Sequence, residues 1–370
     1  MNRLAVVQDH EKLFDRVRGT LLGGAIGDAL GWPIEFLALA QIRDRYGASG
    51  VTGYLPGPVP DAPQAITDDT QMTLFTAEGL LRCPAGADPA PALRNAYLRW
   101  RDTQQQDKPA PDADGWLAQQ QFLYAMRAPG RACMNGLRRQ AEGYLPALDF
   151  GEPGPVNPSS KGCGTVMRSA PFGLAGFGPD RAFHAAMRCA QLTHGHPTAY
   201  LAAGAFAILI DSVLSGAELP IAVQDTIARL TTMPAAAETI TALTAALTVT
   251  QLGPPTPERV EQVGAGWVAE ECLAIAVYSA LYAYRTGDVR GGLLLAVNHS
   301  GDSDSTGAVA GNLIGAVHGV SALPMEWIAT LEGRDELFRV ADDLVLNFCY
   351  NDRSALDDRY PLDTAPLTTA

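Results

Sequence analysis

Cysteine is scarce in this chain of 370 residues, and the six present (Cys83, Cys133, Cys163, Cys189, Cys272, Cys349) form no C-x-x-C pair. At this size that argues against a disulfide framework and reads as reduced thiols in a cytoplasmic protein. Positive charge is also short. Lys and Arg total 27 against 40 Asp and Glu, a net charge of −13, which argues against a basic nucleic-acid-binding surface. An acidic surface would also repel a phosphate-bearing ligand unless bound divalent cations reversed the local sign. Long apolar runs are missing: the longest, residues 199–210, ends at Asp211 and is too short for a bilayer, which takes about 20 residues. It reads as a buried helix, and no membrane partner is expected. The first twelve residues carry charges and no apolar core, so no signal peptide is expected.

Hydrophobic residues make up 47% of the chain, enough for a sizeable core. Alternating β-branched runs are nearly absent, whereas three- and four-residue spacing recurs throughout. Leu13, Phe14, Val17, Leu21, Leu22, Ala25 and Ile26 mark an amphipathic first helix. Similar patterns predict helices near 70–82, 90–101, 115–127, 180–192, 197–214, 221–230, 235–249, 266–285, 305–319 and 334–349. Without a low-complexity linker or fixed-period repeat, the expectation is one all-α domain over residues 1–370. Its core covers about 14–350, and the polar stretch 354–370 is expected to be irregular.

The chemistry concentrates in Ser300-Gly301-Asp302-Ser303-Asp304-Ser305-Thr306-Gly307, just before an apolar helix. Ser, Thr and Asp at a helix start can be plain caps, and taken alone this stretch fits capping and a metal site equally. A second cluster, Thr67-Asp68-Asp69-Thr70, also precedes a helix. Two such clusters point to one oxygen-only site that suits Mg²⁺, Mn²⁺ or Ca²⁺ better than zinc or copper. Their four aspartates suffice for two ions, which typically lie about 3.5–4 Å apart.

Other stretches are less specific. The first helix holds Gly23, Gly24, Gly27 and Gly31, each costing about 1 kcal/mol relative to Ala, so another backbone or a ligand is expected to come close. Asp28 in that run reads equally as a cap, a core hydrogen-bonding group or a site residue. Glu35, beside Pro33, suggests a mobile acid at a site mouth. The loop 157–168 is Gly- and Ser-rich and opens a helix, so its amides, with Lys161 and Arg168, could hold phosphate. His194 and His196 lack the partners a zinc site needs. Asp112 and Asp114 read first as caps. Met72, Phe75, Trp267, Tyr278 and Tyr282 read mainly as core, with one aromatic free to stack on a base.

In this order, five motifs resemble the ADP-ribosylglycohydrolase family over roughly residues 14–330. They are the G-D-x-x-G-x-x-x-E of Gly27 to Glu35, the T-D-D-T of Thr67 to Thr70, the G-x-G-x-x-M-R of Gly162 to Arg168, Thr193-His194, and the G-D-S-D-S of Gly301 to Ser305. The resemblance implies an orthogonal multi-helix bundle with a dinuclear Mg²⁺ or Mn²⁺ centre at the bottom of an ADP-ribose cleft. Carried over by position, Thr67, Asp68, Asp69, Asp302, Asp304 and Ser305 are the metal ligands. Glu35 matches a mobile acid that gates the site, and Glu35, Asp69 and Asp304 are the carboxyls expected to take part in catalysis. Gly162, Cys163 and Gly164 match the loop that cradles the diphosphate, and His194 a ligand contact. Asp114 is the nearest equivalent of a substrate-handling aspartate. Ser305 stands where Thr is frequent, and Cys163 where several members have Asn.

The activity implied is metal-dependent release of ADP-ribose from a modified side chain, arginine first. The alternatives are an O-linked substrate (serine or O-acetyl-ADP-ribose) or a non-catalytic ADP-ribose-binding or immunity protein on the same fold. The expected partner is an ADP-ribosylated protein or a small ADP-ribosyl compound, met by a monomer.

Overall fold

The computed structural model describes residues 9–57, 59 and 62–363, together with residue 4. Among these residues there is no β-strand, only isolated bridges joining Gln64 to Leu331 and Gly162 to Val268. The helices in chain order are α1 (His10–Gly31), α2 (Leu39–Tyr46), α3 (Asp68–Leu81), α4 (Ala90–Thr103), α5 (Arg131–Glu142), α6 (Ala170–Leu174), α7 (Pro179–Ala190) and α8 (Pro197–Leu214). They continue with α9 (Leu219–Leu230), α10 (Ala237–Val249), α11 (Pro257–Val263), α12 (Ala269–Thr286), α13 (Val289–Val297), α14 (Ser303–His318), α15 (Met325–Thr330) and α16 (Arg334–Leu344). One continuous buried cluster runs through them from Leu4 to Tyr360.

Helices α1 and α14 lie antiparallel at the centre, and glycine is the reason they can. Gly19, Gly23, Gly27 and Gly31 recur every four residues on one, Gly307, Gly311 and Gly315 on the other. A Cβ on Gly27 would fall 1.9 Å from the Gly307 carbonyl oxygen, and one on Gly31 2.2 Å from that of Ser303. No side chain larger than hydrogen fits between backbones this close, as in small-residue helix pairs elsewhere. The expected close approach is therefore to another backbone. The same contact corrects the reading of α1 as amphipathic: from Gly19 to Gly31 it is buried all round. Even Arg16 is enclosed, its guanidinium donating to the carbonyls of Ala316 at 2.6 Å and Val213 at 2.8 Å.

Helix α8 is long and apolar enough to cross a membrane, but 94% of it lies inside the protein; it is a core helix packed beside α7, α12 and α14.

The helix expected at 115–127 is absent. Only single turns form, at Leu117–Gln119 and Gln121–Leu123. Tertiary bonds take the groups a helix would have used: the Leu117 amide donates to Glu78, and the Ala125 carbonyl accepts from Gln71. Helices α2, α5, α6, α11, α13 and α15 lie outside the expected segments. Of the stretch expected to be irregular, residues 364–370 lie outside the described residues; residues 354–363 form turns and irregular chain, but they are not loose. Leu356 and Tyr360 are fully buried, the Tyr360 hydroxyl donates to Asp343 at 3.0 Å, and the Asp363 amide donates to the Arg82 carbonyl.

Candidate active site

The glycine contact sets the start of α14 against the end of α1. Gly301, at φ +144°, leaves so little room that a Cβ would sit 2.0 Å from the Ala265 carbonyl oxygen, and the Asp302 amide donates to that same oxygen. Asp302 occupies the N-cap position, yet its carboxylate makes no cap bond. It accepts from the Cys163 thiol at 2.8 Å, while Asp304 accepts from the Ser305 amide at 2.9 Å.

The second cluster is built by Asp28. From inside α1 its carboxylate accepts from the Thr67 amide at 2.9 Å, the Thr70 amide at 3.2 Å and the Thr70 hydroxyl at 2.5 Å. The α3 start is thus satisfied from another helix, together with the Thr67 hydroxyl, which accepts from the Asp69 amide at 3.3 Å. Asp28 is a structural hydrogen-bonding group, and by satisfying these amides it releases Asp68 and Asp69 from that task. Asp68 accepts from the Gly130 amide at 3.2 Å. Asp69 Oδ1 is buried without a hydrogen-bond partner.

These groups meet under one cavity of about 630 Å³, lined by Glu35, Phe36, Asp68, Asp69, residues 128–133, Gly162, Cys163, Gly164, Met167, His194, Trp267, Asp302, Asp304 and Ser305. Carboxylate oxygens of Glu35, Asp302 and Asp304 lie within 4.8 Å of one another. Asp68 and Asp69 face the same cavity from α3 outside that tight group. Thr67 stands behind them with its hydroxyl against Asp69. Burial and mutual repulsion drive the carboxyls upward: Asp68, Asp69 and Asp304 well above the usual range, and Glu35 to about 7, by burial first and Asp302 second. Crowded, desolvated carboxylates with an orphan oxygen are what a hard divalent cation neutralises, and the oxygen-rich donor set fits such an ion.

The opposite wall is the turn Cys163–Thr165, tied by the Cys163 amide to the Trp267 carbonyl. It opens no long helix, and neither expected cation serves it. Lys161 pairs with Glu238 at 2.8 Å and with Glu270. Arg168 is buried, lies 4.4 Å from the Tyr97 ring centre, and donates to the Thr193 hydroxyl at 2.7 Å. That hydroxyl also meets His194 Nδ1 at 2.8 Å. The imidazole edge carrying Nε2 lies against Gly162 and Gly164. Burial, then Arg168, drives His194 down to about 3, so it is neutral. His196 caps α8 by accepting from the Thr198 amide at 3.2 Å.

Asp114 is not brought to the cavity. Its carboxylate is largely exposed and pairs with Arg82 at 3.0 Å and Arg99 at 3.2 Å, beside Glu78 and Asp363. The core reading also fails for Trp267. It is 40% exposed at the mouth and stacks on Phe36, itself 71% exposed, with ring centres 5.1 Å apart and planes 23° from parallel. Phe36 adopts φ +67°, a conformation that costs a residue with a Cβ about 1–2 kcal/mol, while the stack contributes about 0.5–1.5 kcal/mol. Neither ring could be found from periodicity. The only hint in sequence is that Phe36 follows Glu35 directly.

In this all-helical fold two acidic helix starts converge beneath one cleft of about 630 Å³. The chain belongs to the ADP-ribosylglycohydrolase family, whose model matches residues 9–353. It is 26% identical over 338 residues to the ADP-ribosylarginine hydrolase Tri1 of Pseudomonas putida, covering 90% of this chain and 79% of the relative. It is also 26% identical over 325 residues to the ADP-ribosyl-[dinitrogen reductase] glycohydrolase of Rhodospirillum rubrum, covering 87% and 92%. A solved ADP-ribosylglycohydrolase-related protein complex superposes with a TM-score of 0.60 at 26% identity, over 90% of this chain and 98% of that one.

Proposed function

We propose that the cleft hydrolyses the bond between C1″ of ADP-ribose and a modified arginine side chain, with two Mg²⁺ or Mn²⁺ ions held by Thr67, Asp68, Asp69, Asp302, Asp304 and Ser305. The observation that carries this reading is the carboxylate group itself: three side chains within 4.8 Å and an orphan Asp69 oxygen, all under one cavity. The arginine linkage rests on the likeness to an ADP-ribosylarginine hydrolase. When bound, the ions supply Lewis acidity toward the ribose hydroxyls and a water.

The chain's own groups do the rest. Leaving-group departure from C1″ passes through an oxocarbenium-like state that needs a proton donor. Glu35, pushed up to about 7 by burial and then by Asp302, shares a hydrogen bond with Asp304 and stands at the cavity edge. It gives its proton to the departing nitrogen as the C1″–N bond breaks; water adds to C1″, and the proton that water loses passes back to Glu35 through Asp304. Asp69, whose Oδ1 has no protein partner, keeps that oxygen for a cation beneath the ribose. Gly162, Cys163 and Gly164 admit the diphosphate close to backbone, and neutral His194 contacts it without adding charge.

The test is calorimetric titration of ADP-ribose with and without Mn²⁺, then hydrolysis of arginine-, serine- and O-acetyl-linked ADP-ribose. Metal-dependent binding lost in Asp302→Ala/Asp304→Ala, with release from arginine only, is expected. Release from an oxygen linkage alone would overturn the arginine assignment. Binding that ignores metal would mark a non-catalytic ADP-ribose-binding protein.

A further inference from the structure

Glu35 belongs to a short segment between α1 and α2 and points at carboxylates that repel it. What keeps it there is not a cation: among the described residues no Lys or Arg bonds to it, and its side chain shares a hydrogen bond with another acid, Asp304. The neighbouring residue does have a partner. Phe36 crosses the mouth of the cavity to stack on Trp267, and Trp267 is fixed from behind, its carbonyl accepting from the Cys163 amide and Val268 bridging Gly162. The stack therefore ties the Glu35 segment to the opposite wall. It does so with two rings that remain partly in water and a Phe backbone at φ +67°. Stacking and backbone strain are of similar size and opposite sign, so the segment is held only weakly.

We infer that Phe36 and Trp267 are positioning residues that hold Glu35 over the Asp302–Asp304 pair. This rests on the reading of Glu35 as the working acid, but its physical content does not require turnover. Two measurements separate the cases. The first is amide hydrogen exchange of Glu35 and Leu37, whose amides bond to Gly31 and Ile34 at 3.0 Å each, in protein without metal. Loss of a stack of this strength should raise exchange about two- to tenfold in Phe36→Ala and Trp267→Ala, while Trp267→Phe, which keeps a ring, stays near wild type.

The second is Mn²⁺ affinity by electron paramagnetic resonance in a cycle of Phe36→Ala with Glu35→Gln. Phe36→Ala should weaken Mn²⁺ about two- to tenfold in the wild-type background and have no effect once Glu35 is Gln. Unchanged exchange in Phe36→Ala overturns the inference, as does an equal loss of Mn²⁺ affinity in both backgrounds. If wild type binds no Mn²⁺ at all, the metal-dependent reading falls, and the exchange result decides the positioning role alone.

Discussion

Consider replacing Gly311 by Ala. This glycine lies two turns into α14 from Asp304 and touches nothing in the cleft, yet its Cβ would sit 1.9 Å from the Gly23 carbonyl oxygen. Ordinary contact begins at 3.4 Å, so the helices must part locally by about 1.5 Å, and no flexible side chain is present to yield instead. Overpacking of this kind costs about 3 kcal/mol at its upper range, and the better helix propensity of Ala returns about 1 kcal/mol. The net loss of about 2 kcal/mol, against an unfolding entropy near 0.8 kcal/mol/K for a chain this long, lowers Tm by about 3 °C. The larger effect is on the site. A constellation of ligands tolerates about 0.5 Å of displacement, so α14 shifting against α1 should weaken Mn²⁺ binding about tenfold or more. Calorimetric Mn²⁺ titration and thermal melts read both quantities. Gly143→Ala, where an added Cβ meets nothing within 4 Å, is the control. If Gly311→Ala matched Gly143→Ala in both, the claim that the glycine contact sets the site geometry would be wrong.

Other perturbations follow the same geometry. Asp28→Ala leaves the Thr67 and Thr70 amides buried without an acceptor, at about 1–3 kcal/mol each. It should lower both Tm and Mn²⁺ affinity, with Asp28→Asn falling between it and wild type. Folded Glu35 keeps its proton up to about 7 against an ordinary 4.5, so the folded state binds more protons in that window. Metal-free protein should then lose stability as pH rises from about 4.5 to about 7 and beyond, since Asp68, Asp69 and Asp304 shift the same way, while Mn²⁺ should flatten the slope. Melts across that range with chelator and with Mn²⁺ check it; superimposable curves would refute it. Tyr360→Ala should cost about 3–5 kcal/mol, as for other buried aromatic truncations. No change in Tm would mean that the tail is not part of the folded core.

The acidic clusters were legible because their chemistry is local: helix starts with more oxygens than capping requires are visible in a string of letters. So were most long helices, whose apolar spacing survives any arrangement. What escaped detection was decided elsewhere in the chain. Residues 115–127 have helical spacing, but Glu78 and Gln71 claim their backbone groups. Asp114 looked available until Arg82 and Arg99 took it. Trp267 reads as core by spacing and sits at the mouth because Phe36 waits there, 231 positions away. The glycines of α1 announced a close approach without naming the partner. Lys161 and Arg168 show the same limit for charge: each is spent on a neighbour that no local pattern reveals.

The α1–α14 contact also bears on how the protein reaches its native state. The end of one helix, Gly31, and the start of the other, Ser303, are 272 positions apart, and closing a loop of that length costs about 5 kcal/mol of chain entropy beyond a constant. That cost falls due before the backbones can reward each other, so pairing of these helices should be slow relative to helix formation. During synthesis, α1 must wait with its glycine face bare until nearly all the other helices have emerged. Helix α3, with Asp68 and Asp69, can form early, but the other half of the acidic site arrives with α14. Completion of the cleft and completion of folding are therefore one late event, and an intermediate with half a site has nothing to offer a ligand.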